Sequence, residues 1–107
     1  MAYERLRGAK YPNKNLMIQM KEVTLDGSNP TPVTMEQLKV VKFAVAVYKR
    51  TTAPALDPSA GPTVDYNGTD NIVNVYAWKP TAAADCTAIA STNATQVCSV
   101  MAMGSIK

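Results

Sequence analysis

A chain of 107 residues with a net charge of +3 has room for one domain and one core, and none for a second domain. It contains no histidine, which removes the commonest general base near neutral pH and the commonest metal ligand. Its apolar residues are mainly Val, Ala and Met, with Thr plentiful and aromatics few, a composition that fits the pleated surface of a sheet.

The charge is unevenly placed. Residues 1–50 carry nine Lys/Arg against four acids, hence +5, and the remainder carries two against four, hence −2. Such polarity suits docking between copies of one chain or onto an acidic partner. It lacks the clustered Lys/Arg and interleaved aromatics of a nucleic-acid surface, and no nucleic acid is expected. No apolar run approaches the roughly 18 residues of a membrane helix, and no membrane partner is expected. The start of the chain reads as no signal peptide, so synthesis and folding in a cytosol are expected.

Residues 1–15 are polar and basic, broken by Gly8 and Pro12. They read either as a frayed tail or as an arm that orders on a neighbouring subunit. In the second reading Tyr3, Leu6 and Tyr11 are anchors, and Arg5, Arg7, Lys10 and Lys14 are charge contacts. Residues 16–107 form the single β domain.

That domain opens with a strand placing Leu16, Ile18 and Met20 on one face. The apolar parity then slips to Val23 and Leu25, which predicts a bulge near Lys21-Glu22. A turn cluster at 26–30 ends the strand. Thr34-Met35-Glu36-Gln37 has capping-box form, but the β-branched run after it predicts at most one helical turn at 34–38. A long strand follows at 39–50, alternating on Val41, Phe43, Val45 and Val47, with Ala44 and Ala46 on the other face.

Residues 51–62, with three prolines and a glycine, predict a loop. Asn67-Gly68 between two strand-like runs predicts a hairpin. Its second strand points Val73, Val75 and Ala77 to the core and Asn74, Tyr76 and Trp78 to the opposite face. Segments 86–90 and 96–103 predict a last pair of strands. The expected fold is all-β: a small antiparallel β-sandwich or barrel of about six or seven strands with an extended N-terminal arm.

Little catalytic chemistry is available. The eight acids are scattered, most of them in predicted turns, and no spacing points to a Ser-Lys pair, so no enzyme activity and no cofactor are expected. The oxygen-rich stretch 65–71 matches a calcium loop only in part and lacks its closing bidentate Glu; a hairpin turn explains it. If 86–90 and 94–103 pair through Ser91, Thr92 and Asn93, Cys86 falls opposite Cys98. The two then read either as buried small apolar residues or as a disulfide formed after release from a reducing compartment. Asn74, Tyr76 and Trp78 read either as packing under a loop or interface, or as an aromatic contact face for a ligand such as a glycan.

Three segments carry a resemblance: residues 23–33 (VTLDGSNPTPV), 73–81 (VNVYAWKPT) and 97–104 (VCSVMAMG). They resemble small structural proteins of tailed bacteriophages, of the kind that decorate or cement capsids. The resemblance implies a compact β domain with a terminal arm, acting as a homo-oligomer on the major capsid protein or other virion subunits. It implies location in the virion after synthesis in the host cytoplasm, with no cofactor and no chemistry. A glycan-binding β module and a tail or baseplate component are the alternatives.

Overall fold

Alternating inward and outward side chains organise the chain into two antiparallel sheets packed face to face. The computed structural model describes residues 3–5, 16–51, 56–82, 84 and 87–106. Every regular element among them is a strand: β1 (Tyr3–Arg5), β2 (Leu16–Thr24), β3 (Thr31–Thr34), β4 (Leu38–Tyr48), β5 (Ser59–Asp65), β6 (Ile72–Pro80), β7 (Ala88–Ala90) and β8 (Val97–Ile106). Sheet A has the order β1-β2-β8-β4. Sheet B has the order β3-β6-β5, with β7 also pairing β6. The fold is an all-β sandwich, as the strand pattern implies, and no helix of the described residues is long and apolar enough to cross a membrane.

The core lies between the sheets. Sheet A contributes Leu38, Val41, Ala44, Cys98, Val100 and Ala102, sheet B contributes Val33, Val73, Val75 and Ala77, and Leu25 and Met35 close the layer from the connections. The Val73/Val75/Ala77 face expected to be core is buried. Sheet A meets it with a mix of branched side chains and the small Ala44, Cys98 and Ala102, and at Gly104 with none. A Cβ on Gly104 would lie 1.9 Å from the Val40 carbonyl oxygen, so β8 and β4 approach there at glycine distance.

Several local expectations are corrected. No helical turn forms at 34–38. The Leu38 amide donates to the Met35 carbonyl at 3.0 Å, and this tight turn places both fully buried side chains in the core. β2 carries no bulge, since its register with β8 is unbroken from Leu16↔Ser105 to Thr24↔Val97. The parity slip instead marks a strand that is apolar outward at Leu16, Ile18 and Met20 and apolar inward at Met17, Val23 and Leu25. The irregularities fall in β4, between Leu38 and Val40 and between Val41 and Phe43. They send Val41, Ala44, Ala46 and Tyr48 inward and leave Phe43, Val45 and Val47 outside.

The Pro-rich stretch is shorter than a 51–62 loop, because β5 begins at Ser59 and a register shift before Thr63 absorbs Gly61 and Pro62. β5 and β6 form the expected antiparallel pair, with Gly68 at φ +77° in the connection. The connection is wider than a two-residue turn. Asn67 Oδ1 gathers the amides of Thr69 (2.8 Å) and Asp70 (3.1 Å), and Asp70 Oδ1 accepts from the Ile72 amide at 3.0 Å.

The last predicted hairpin is overturned. Ala88–Ala90 pairs with Trp78–Pro80 of β6, whereas β8 is the central strand of sheet A, flanked by β2 and β4. A strand with Cys98, Val100 and Ala102 all buried on one face fits a central position, where both edges are hydrogen-bonded.

Candidate functional site

β6 holds the predicted aromatic face. With Val73, Val75 and Ala77 turned inward, Asn74, Tyr76 and Trp78 stand half-buried on the outer side of sheet B. The Tyr76 and Trp78 rings lie near-parallel, their centroids 6.2 Å apart at 14°, in the range of attractive aromatic pairs. β5 anchors their polar atoms. Tyr76 Oη donates to Asp65 Oδ2 at 2.7 Å and Asn74 Nδ2 to Asp65 Oδ1 at 2.9 Å. Trp78 Nε1 donates to Thr63 Oγ1 at 2.9 Å. The bonds from Asn74 and Tyr76 hold the Asp65 carboxyl below its ordinary range, and the same carboxylate raises the Tyr76 phenol. The predicted trio is brought together, with Asp65 as its organiser.

Cys98 sits in the core with its thiol free. Its cross-strand neighbours are Val23 and Tyr48, so the register argument that set it opposite Cys86 no longer holds. Cys86 lies outside the described residues. Burial pushes the Cys98 thiol up to about 11 and the Tyr48 phenol up to about 12. The Arg50 guanidinium lies 4.6 Å from the Tyr48 ring centroid and donates to Gln96 Oε1 at 3.0 Å. These groups close one end of the sandwich.

Of the arm residues, Tyr3 and Arg5 lie in β1, whose backbone pairs with Met17–Gln19 of its own chain. Leu6, Arg7, Lys10, Tyr11 and Lys14 lie outside the described residues.

A second outward feature, on sheet A, went unpredicted. The even positions of β2, the odd positions of β8 and the outward set of β4 form rows across sheet A: Ile18-Met103-Phe43, then Met20-Met101-Val45, then Glu22-Ser99-Val47. Four of these apolar side chains are strongly exposed, Val47 at 60%, Met20 at 52%, Phe43 at 46% and Val45 at 39%. Between the last two rows lies an open groove of about 590 Å³. Isolated exposed apolar residues are ordinary on a soluble protein, but a contiguous apolar sheet face marks an interaction surface. Its charged margin is the Lys49–Glu22 ion pair at 3.0 Å. The sequence did carry a signal, in strands apolar on both faces, which a single-faced reading of the parity conceals.

Among the described residues no group of three or more His, Cys, Asp or Glu side chains could hold a metal, and the oxygens of Asn67 and Asp70 close onto their own turn. Compared with known proteins, the chain matches no family model, no curated protein and no solved structure.

Proposed function

We propose that this chain is a virion structural protein, a capsid decoration or cement subunit that works by protein–protein contact and as a homo-oligomer. The observation that carries the reading is the apolar outer face of sheet A. A small β domain that leaves Met20, Phe43, Val45 and Val47 in water gains stability when another protein surface covers them, at about 25 cal/mol per Å² of apolar area removed from water. Many identical copies on a shell turn weak single contacts into durable ones through effective concentration. The resemblance of segments 23–33, 73–81 and 97–104 to small phage particle proteins supplies the virion setting, with the major capsid protein or other virion subunits as partners. The test is mass spectrometry of purified particles of the virus or prophage that encodes the chain. The reading expects it at high copy number in the particle, and its absence there overturns the reading.

A second reading has its own observation. Tyr76 and Trp78 form a half-exposed, near-parallel aromatic pair beside Asp65 and Asn74, the combination of apolar ring faces and polar atoms that a glycan module presents. It expects Trp78 fluorescence to change on adding oligosaccharide. A flat titration across a glycan panel would remove it.

A further inference from the structure

We propose that the outer face of sheet A is self-complementary and is covered by a second copy of this chain, about a two-fold axis running along β8. The inference rests on reading this face as an assembly surface. It does not need the virion setting.

The register of sheet A makes the geometry explicit. β8 is flanked by β2 and β4, and each outward row crosses all three strands at one height. Rotation by 180° about an axis along β8 lays β8 on β8 and β2 on β4, keeping heights unchanged. Met101 and Met103 then meet their own copies on the axis. Met20 meets Val45 and Ile18 meets Phe43, a longer side chain over a shorter one in each case, which is how facing sheets interdigitate.

The charges select this axis and this partner. Glu22 on β2 and Lys49, the residue that follows β4, sit at the same end of the face, 3.0 Å apart at Oε1 and Nζ. The rotation brings each copy's Glu22 over the other's β4 end and each Lys49 over the other's β2 end, so the signs alternate around the axis. An axis across the strands would instead press Glu22 of one copy onto the Leu16–Ile18 end of the other and bury a carboxylate against apolar carbon. Three strands by nine residues cover about 14 Å by 30 Å in projection. Two such faces together remove on the order of 1,000 Å² of accessible surface, the lower bound of a specific interface.

The experiment is sedimentation equilibrium of the purified full chain, with variants. At about 100 μM the wild type is expected at twice the single-chain 11.5 kDa. Met101→Lys places two like charges on the axis, and is expected to return the mass to one chain while leaving the far-ultraviolet circular dichroism unchanged. The charge variants separate an interchain role from the intrachain ion pair. Glu22→Lys alone and Lys49→Glu alone each weaken association, about tenfold or more. Mixed in equal amounts they form a heterodimer, because the two positive charges of one face the two negative charges of the other. A monomeric wild type, or a mixture no tighter than its components, overturns the two-fold. So does a monomeric chain whose incorporation into particles is abolished by Met101→Lys, which would assign the face to a different subunit. A dimer missing from particles would leave this inference standing and remove the virion reading.

Discussion

Gly104 shows how one atom sets the distance between two strands. The Cβ of an alanine there would meet the Val40 carbonyl oxygen at 1.9 Å, with Val41 Cα close behind. Neither is the end of a flexible side chain, so β4 would have to move. Gly104→Ala is expected to cost about 3 kcal/mol or more, read as a fall in the urea midpoint. Gly61→Ala, where an added Cβ meets nothing within 4 Å, is expected to stay within about 0.5 kcal/mol. Cys98 gives a second prediction at this scale. Its thiol titrates near 9.0 when free and at about 11 in the fold, chiefly through burial. The folded state therefore holds the proton more tightly. Stability is undiminished below pH 9 and falls as pH rises through about 11. Cys98→Ala should lower the melting temperature at neutral pH but flatten its decline between those values, measured by thermal denaturation across alkaline buffers.

At the scale of elements, β4 decides what each apolar residue is for. Its register shifts near Val40 and Phe43 turn an apparently regular odd-numbered stripe into one buried residue, Val41, and three outward ones. Val41→Ala is accordingly expected to cost about 2 kcal/mol by opening a cavity. Val47→Thr is expected to change the stability of the single chain by less than about 0.5 kcal/mol. Chemical denaturation at low protein concentration, where association does not contribute, checks both.

β4 also shows why part of the fold was legible and part was not. Strand identity followed from β-branched density, and the β5–β6 pair followed from Asn67-Gly68, because both signals are local. The inward face of β6 was legible because nothing interrupts its alternation. A bulge leaves no residue-type signature in β4, so the face could not be assigned from spacing. The partner of β8 was likewise hidden. Short separation favoured a hairpin with 86–90, whereas β8 pairs with the distant β2 and β4, a long-range choice that spacing does not encode. The Asn74-Tyr76-Trp78 trio was readable from alternation, but Asp65, which binds two of the three, lies on another strand and was not.

At the scale of the molecule, the two outer faces divide the chemistry. Sheet B turns outward a polar aromatic surface already tied down by Asp65 and Thr63. Sheet A turns outward bare apolar side chains. Lys49 and Glu22 bridge the two edges of the sheet A rows, as an exposed ion pair whose own contribution to folding is under about 1 kcal/mol.

The central place of β8 has a consequence in time. As the chain leaves the ribosome, β2 and β4 emerge well before the strand that must lie between them. Until residues 97–106 arrive, sheet A has no middle, and both of its flanks carry unpaired backbone and apolar side chains. Pairings as distant as Leu16 with Ser105 must close nearly the whole chain, which places folding in the slow range of milliseconds to seconds. Nascent chains stalled before Val97 are expected to remain protease-sensitive throughout. Chains stalled once Ile106 has cleared the exit tunnel should become resistant in a single step, without a protected fragment appearing earlier.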